Sequence, residues 1–159
     1  MSKNLVRNEE ELYRQIMPRV KKAVDYVMER IEQENYKDIE KFLYSTYQPT
    51  VYDRTRGFEY AWSADEAKQH SHTVEAEFGY DPSDIASDPD NFIHGSPLSG
   101  DSRAYLADII YDGVWGSLFG DGPWQRKSRA FDHLVETLDK SKFDQWMKAG
   151  MKQAGLWVE

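Results

Sequence analysis

The feature that most constrains the fold is a long apolar stripe near the start of the chain. Between residues 12 and 31, apolar side chains recur every three or four positions, at Leu12, Ile16, Val20, Val24, Val27 and Ile31. That spacing places them along one side of a helix with 3.6 residues per turn. Asn8 precedes three glutamates; an Asn side chain can cap free amides, and acids suit the first turn of a helix. The sequence therefore predicts a helix that begins after Asn8 and buries one side.

Two further signals bear on how far this helical part extends. Pro18 lies inside the stripe and has no amide donor, so we expect either a kink there or a new helix that starts there. The stretch from Gln33 to Pro49 predicts a second helix capped by Asn35, because its apolar residues share one face and a proline follows. Together these segments form a predicted helical arm over residues 8–48.

The middle of the chain carries strand and loop patterns. Phe58, Tyr60 and Trp62 alternate with polar neighbours, and residues 74–80 alternate in the same way, so we predict two paired antiparallel strands. Residues 81–100 contain three prolines, several aspartates and no periodicity. They predict a long acidic loop, a feature that is often functional in a compact domain.

The last part of the chain is predicted to be helical. A short helix is expected around Leu106, two more follow Ser128 and Ser141, and Gly155 is a helix stop. The fold class is therefore α+β, with a long N-terminal helical part, a small antiparallel sheet or hairpin, and C-terminal helices. A length of 159 residues suits a single domain over residues 1–159.

Charge and composition exclude several classes of function. The net charge is -8, and residues 61–124 hold 12 Asp and Glu against 2 Lys and Arg, so the excess acid is central. Such a segment repels phosphate backbones, which argues against specific nucleic-acid binding. Absence of cysteine excludes disulfides, thiolate metal sites and cysteine nucleophiles. No stretch approaches the roughly 18 apolar residues of a membrane span, so we expect no membrane contact and synthesis in the cytoplasm.

The strongest metal-site candidates are His70 and His72. They are two residues apart at the edge of a predicted strand, so both could point the same way, with Glu75 or Glu77 as an oxygen ligand. Two imidazoles are too few to specify a site, and polar residues leading into a hairpin explain them more simply. We therefore predict no metal and no cofactor.

The loop aspartates allow a second metal hypothesis. Asp81, Asp84, Asp88 and Asp90 could gather around calcium, which prefers carboxylate and carbonyl oxygens. Their spacing is not that of an EF-hand loop, and aspartate is a common turn residue. The sequence also lacks a G-x-S-x-G elbow, a dinucleotide fingerprint and a phosphate-binding loop. No catalytic residue is predicted, and the chain is expected not to be an enzyme.

Aromatic residues and arginines supply candidate contact residues. A small domain needs most of its large rings inside, so core packing is the first expectation for six of them, and any ring left outside becomes an interface candidate. These are Trp62, Trp115, Phe119, Trp124, Trp146 and Trp157. Arg54 and Arg56 are expected to be exposed or to pair with Asp53 and Glu59, with an intersubunit pair as the alternative.

Residues 44–58, YSTYQPTVYDRTRGF, carry a family resemblance. A helix that closes in Tyr-x-Pro-x-x-Tyr-x-Arg-Thr before the first strand resembles the head-to-tail connector and tail-completion proteins of tailed bacteriophages. The interaction residues that the resemblance implies are Tyr47, Pro49, Tyr52, Arg54, Thr55 and Gly57. A later segment around Gly122, Pro123 and Trp124 is similar to the family's aromatic and proline segment. Arg56 is an insertion where the family often proceeds directly to glycine.

The resemblance implies a structural role without enzymatic activity. Copies would form a homo-oligomeric ring in the neck of the virion, which joins the portal side of the head to the tail. The implied partners are other copies and the phage portal, adaptor or tail proteins, with DNA passing through the ring without specific binding. The acidic loop, with Asp84, Asp88 and Asp90, could line the channel and keep DNA from adhering.

Two other functions remain open on sequence grounds. One is a metal-dependent enzyme that uses His70, His72 and nearby carboxylates. The other is an acidic regulatory protein that binds a basic partner through residues 61–124.

Overall fold

The protein has an α+β fold, seen in a computed structural model that describes residues 8–45, 56–85, 106–112 and 128–157. A long N-terminal helix leads into small two-stranded sheets, and helices follow at the end, as the sequence predicts. Among the described residues, no helix combines the length and the apolar composition required to cross a lipid bilayer.

The chain divides into two compact units, each assembled from separate segments. Unit 1 comprises Met1–Ile31, Ala64–Phe78 and Thr137–Glu159, and unit 2 comprises Glu32–Ser63 and Gly79–Glu136. This division does not test whether the chain folds as one domain, so the single domain over residues 1–159 stays a prediction.

Helix α1 spans Glu9–Ile39, and a π-helical turn at Glu40–Tyr44 continues it. Its start is as predicted, because the Glu11 N–H donates to Asn8 Oδ1 at 2.9 Å. The prediction of a separate helix capped by Asn35 is wrong, since Asn35 lies fully buried inside α1. A cap must stand where amides are free, whereas Asn35 lies inside the helix, one turn from buried Ile31 on one side and from buried Ile39 on the other.

Pro18 does not begin a new helix. It lies inside α1 and is exposed. A proline removes one amide donor, and on an exposed face water can bond to the carbonyl that loses its partner. The restart alternative is therefore wrong, and the chain forms one continuous helix through this position.

Four short strands follow the short helix α2 at Gly57–Tyr60. They are β1 at Trp62–Ala64, β2 at Lys68–Gln69, β3 at Val74–Glu75 and β4 at Phe78–Tyr80. Strand β2 pairs antiparallel with β3, and β1 pairs with β4. The predicted strand over residues 58–62 is wrong in its first half, which is helical. Burial explains the error, because Phe58, Ala61 and Trp62 are buried at the spacing of one helical turn, whereas Tyr60, which alternation would bury, is exposed.

The remaining α-helices of the described residues are α3 at Leu106–Asp112, α4 at Ala130–Thr137 and α5 at Phe143–Gln153. The Ala130 N–H donates to Ser128 Oγ at 3.3 Å, which agrees with the predicted start after Ser128. A π-helical turn at Leu138–Lys142 joins α4 to α5, so no free helix start follows Ser141. Gly155 has a left-handed backbone with φ of 77°, which confirms it as the helix stop.

The core of unit 1 forms around three buried residues of α1. Val27, Met28 and Ile31 are buried, and side chains from the strands and from α5 pack against them. Burial of each such side chain contributes about 1.5–3 kcal/mol. The packed partners are Val24, Ala64, Ala76, Phe78, Leu138, Trp146 and Met147.

A hydrogen bond and an ion pair connect the segment between β1 and β2 to α1 within unit 1. Asp25 Oδ1 accepts the N–H of buried Ala67 at 2.8 Å, while Lys21 Nζ lies 3.0 Å from Asp25 Oδ2 and 2.6 Å from Glu66 Oε1. The bond to Glu66 and then that to Asp25 raise the pKa of Lys21. The buried amide is thereby satisfied, so α1 and this segment are held in register.

Candidate functional site

Of the predicted interaction segment at residues 44–58, the structure describes Tyr44, Ser45 and the turn at residues 56–58. Arg56 has a left-handed backbone with φ of 58° and directly precedes α2. Its Nε–H donates to Glu59 Oε2 at 2.7 Å, its Nη2 donates to Glu40 Oε2, and its guanidinium lies 5.0 Å from the Tyr44 ring centroid. The predicted pair between Arg56 and Glu59 is confirmed.

In this turn the ion pairs of Arg56 are favourable, whereas its left-handed backbone conformation is unfavourable. A left-handed residue other than glycine costs about 1–2 kcal/mol. The side chain of Glu59 is only 12% exposed, which strengthens its pair with Arg56 over a fully solvated one. The bond to Glu59 also raises the pKa of Arg56. The two carboxylates and the Tyr44 ring thus stabilise a conformation that the backbone alone disfavours.

The other predicted interaction residues are only partly described. Gly57 is the first residue of α2, and Asp84 is the last residue of a 3-10 turn at Pro82–Asp84. The Ser83 N–H donates to Asp81 Oδ1 at 2.8 Å, and hydrogen bonding from the Ser83 side chain, and then from this backbone N–H, lowers the pKa of Asp81. The remaining members of the set lie outside the described residues: Tyr47, Pro49, Tyr52, Arg54, Thr55, Asp88 and Asp90.

The two candidate metal ligands lie in the turn between β2 and β3. His70 Nε2 is 3.8 Å from Glu75 Oε2, whereas the His72 ring packs edge-on against Tyr13 with centroids 4.4 Å apart. The Ser71 hydroxyl lies 3.2 Å from His72 Nδ1. Within the described part of the chain, no three His, Asp or Glu residues are grouped closely enough to hold a metal ion. The described contacts thus give the metal-enzyme hypothesis no specific support.

Five aromatic rings form a cluster in unit 2. Neighbouring centroids are 5.4–6.4 Å apart. The rings belong to Phe58, Trp62, Tyr80, Tyr111 and Phe131. Phe58 and Trp62 are buried, and burial raises the pKa of Tyr111, whereas Phe131 remains 42% exposed. The cluster therefore extends from the interior of unit 2 to its surface on α4.

The expected core role of the large aromatics is met by two of the three that can be assessed. Trp62 is buried in unit 2, and Trp146 packs against the core of unit 1. Trp157 is fully exposed, which makes it an interface candidate by the criterion above. Trp115, Phe119 and Trp124 lie outside the described residues.

A histidine–aspartate pair in unit 2 was not predicted from the sequence. His133 Nδ1 lies 2.9 Å from both carboxylate oxygens of Asp38, and its ring packs 5.1 Å from the Phe42 ring centroid. Asp38 is buried on α1, while the His133 side chain is one-third exposed. The sequence carries a signal for Asp38 alone: a charged residue next to Ile39 on the inner side of the helix needs a partner, but nothing identifies His133 as that partner.

Comparison with known proteins finds no relative of this chain. Neither a protein-family model, nor a curated protein, nor a solved structure matches it. The resemblance of residues 44–58 to the phage connectors therefore remains a hypothesis, and the function must be inferred from the chain's own contacts.

The charges of the two units differ sharply. Unit 1 contains 12 acidic and 12 basic residues, whereas unit 2 contains 16 acidic and 8 basic residues. The whole net charge of -8 therefore belongs to unit 2. Charge of one sign on one compact unit repels anions and attracts basic surfaces.

Proposed function

We propose that this chain is a structural protein of a phage neck, where copies form a ring that joins the portal side of the head to the tail. The single observation that carries the proposal is the set of contacts that Arg56 makes with Tyr44, Glu40 and Glu59, called the Arg56 clasp below. Tyr44 and Arg56 stand at the two described ends of the segment that resembles the connector family, and they are in contact. Ion pairs of Arg56 with Glu40 and Glu59 reinforce this closure.

Contact between Tyr44 and Arg56, on either side of residues 45–55, suits a segment that binds another protein. Its two ends are held in one geometry by the long helix and α2, so less conformational entropy is lost when the segment binds a neighbour. The interaction residues that the resemblance implies within this segment are Tyr47, Pro49, Tyr52, Arg54 and Thr55, which lie outside the described residues. Tyrosine and arginine are enriched at the energetic centres of protein interfaces.

The charge distribution supports passage of DNA without binding. Unit 2 carries the entire net negative charge, and phosphate backbones are repelled by such a surface. The predicted acidic loop at residues 81–100, with Asp84, Asp88 and Asp90, falls within the range of this unit, and residues 86–100 lie outside the described part of the chain. In this proposal the protein is made in the host cytoplasm, works in the virion and needs no cofactor.

Ring formation is tested by electron microscopy and mass measurement. The purified chain, alone and mixed with portal rings from the same phage, is examined by negative-stain microscopy and by light scattering after size exclusion. Ring particles, or a ring layer added to the portal, are expected. If the chain stays monomeric and adds nothing to portal or tail particles, the neck proposal fails.

One further function has a specific observation in its favour. The acidic excess of unit 2 would also suit a regulatory protein that binds a basic partner. Such a protein would form a complex of fixed stoichiometry that dissociates in high salt, and it would not form rings. The two measurements above therefore distinguish the two functions.

A further inference from the structure

An exposed basic row lies on α5 and ends near an exposed tryptophan. Lys148 and Lys152 are exposed and one helical turn apart, and within the described residues neither forms an ion pair. Gly155 ends the helix, and Trp157 follows with its whole side chain exposed. An exposed tryptophan that follows unpaired lysines leaves a large apolar surface in water, which is unfavourable. In a protein interface, tryptophan is a common anchor residue. These three residues are called the Lys-Trp row below.

A complementary surface lies on α4 of unit 2. Phe131 and Val135 are one turn apart, and each is about two-fifths exposed, whereas Leu134 between them is buried. Asp132 and Glu136 form the adjacent row on the same helix, and Glu136 Oε1 also lies 3.5 Å from Arg129 Nη2 in an exposed pair. The Phe131 ring is backed by Tyr111 at 5.4 Å, so it is held in place. The α4 face is defined by Phe131, Asp132, Val135 and Glu136.

The two surfaces match in spacing as well as in chemistry. In each helix the charged residues are four positions apart, a rise of about 6 Å, so two lysines can face two carboxylates at once. Trp157 supplies a large apolar surface, and Phe131 with Val135 supplies an apolar area for it to cover. From Lys142 to Trp157 the chain has three lysines and one aspartate, whereas unit 2 is strongly acidic.

We propose that the Lys-Trp row of one copy docks on the α4 face of a second copy. This inference rests on the proposed ring, because it names the surfaces through which the copies touch. A second copy is the occupant that the charges favour, since every chain carries both halves of the match. The two halves are different surfaces, so within the proposed ring the contact is heterologous and leads from copy to copy in one direction.

The inference is tested by sedimentation velocity over a range of concentrations. Trp157→Ala is expected to weaken self-association by about 30-fold or more, as for the loss of an interface anchor. The double reversal Lys148→Glu/Lys152→Glu should also abolish association, and Asp132→Lys/Glu136→Lys added to it should restore the contact. Leu12→Ala removes an exposed apolar side chain of unit 1 that lies outside the Lys-Trp row; it is the control and should associate as the native chain does.

A mixing experiment reports the direction of the contact. A Trp157→Ala chain lacks the anchor but keeps the α4 face, whereas a Val135→Asp chain lacks the face but keeps the anchor. Alone, each should be monomeric, and circular dichroism should show each folded. Mixed, they should form dimers and nothing larger, because only one good contact is possible between them.

The outcomes separate this inference from the neck proposal. Rings that persist in the Trp157→Ala and charge-reversed chains would overturn the docking contact and leave the neck proposal standing. A native chain that sediments as a monomer at every concentration would also overturn the docking contact. The neck proposal would then be decided by the addition of the chain to portal rings.

Discussion

Gly150 of α5 lies against Ala23 of α1 so closely that a Cβ atom on Gly150 would stand 2.8 Å from the Ala23 carbonyl oxygen. The carbonyl belongs to the backbone, so it cannot move aside as a flexible side chain could. Both residues are buried in unit 1. The close approach explains why a glycine stands in the middle of a helix, where it costs about 1 kcal/mol relative to alanine.

The first prediction is that Gly150→Ala destabilises the protein in spite of its better helix propensity. The added methyl group forces α1 and α5 apart, a cost of about 1–3 kcal/mol for overpacking. Urea denaturation measures the change in the free energy of unfolding. Gly79→Ala is the control, because no atom lies within 4 Å of a Cβ at Gly79. Equal stabilities of the two variants would show that the helices are not in this contact.

The second prediction concerns the Arg56 clasp. Arg56→Asn keeps a residue that tolerates the left-handed backbone and removes the guanidinium, so it isolates the side-chain contacts. With Arg56 42% exposed, loss of both ion pairs should cost only about 1 kcal/mol. Arg56→Ala should be less stable than Arg56→Asn, because alanine adds backbone strain. The reverse order in thermal denaturation would contradict the left-handed assignment.

A third prediction follows from the pair between Asp38 and His133. His133→Ala leaves a buried carboxylate without this partner and should cost about 2–3 kcal/mol. Adding Asp38→Asn removes the buried charge, so the double variant should be more stable than His133→Ala alone. A double-mutant cycle by chemical denaturation gives the coupling energy. Costs that simply add would mean that the two residues do not interact.

The fourth prediction is a pH dependence that arises from Tyr36. Burial, and then the charge of Glu32, raises the pKa of Tyr36 to about 12. Its hydroxyl oxygen lies 3.2 Å from Glu32 Oε1 and 3.3 Å from the Trp62 carbonyl oxygen, so its single proton is shared between two acceptors. The unfolded chain ionises this tyrosine near the ordinary value of 10, so its contribution is complete below pH 10 and is lost as the pH rises towards 12.

Tyr36→Phe provides the test of this dependence. The variant should be less stable at neutral pH by about 0.5–1.5 kcal/mol, the worth of a typical hydrogen bond. Since phenylalanine cannot ionise, the difference in unfolding free energy between native chain and variant should narrow between pH 10 and 12. A difference that is constant over this interval would show that Tyr36 ionises alike in both states.

Cap and stop signals were predictable because their chemistry is local. Asn8 and Ser128 each accept an amide proton from a residue no more than three positions away, and Gly155 adopts the left-handed backbone that ends a helix. The pair between Arg56 and Glu59 is equally local. A side chain that bonds within one turn does so largely independently of the rest of the fold.

Contacts between distant residues were not predictable. Asp38 and His133 are 95 positions apart, and nothing in their neighbourhoods in the sequence indicates that they meet. Arg56 also reaches Glu40, which a spacing argument would not select. Residues 57–60 form a helix where the sequence predicts a strand. The spacing of Phe58 and Trp62 fits both the period of two of a strand and the period of 3.6 of a helix, and only the observed burial distinguishes them.

The sequence by itself determined the fold class, the long amphipathic helix, its start after Asn8 and the acidic character of the middle of the chain. Only the tertiary structure decided that Asn35 lies inside one continuous helix, that Asp38 faces His133, and that Trp157 is left exposed. The physical reason is that propensity, capping and net charge are properties of neighbouring residues. Burial depends on which distant surfaces pack together, and it is set by the whole chain at once.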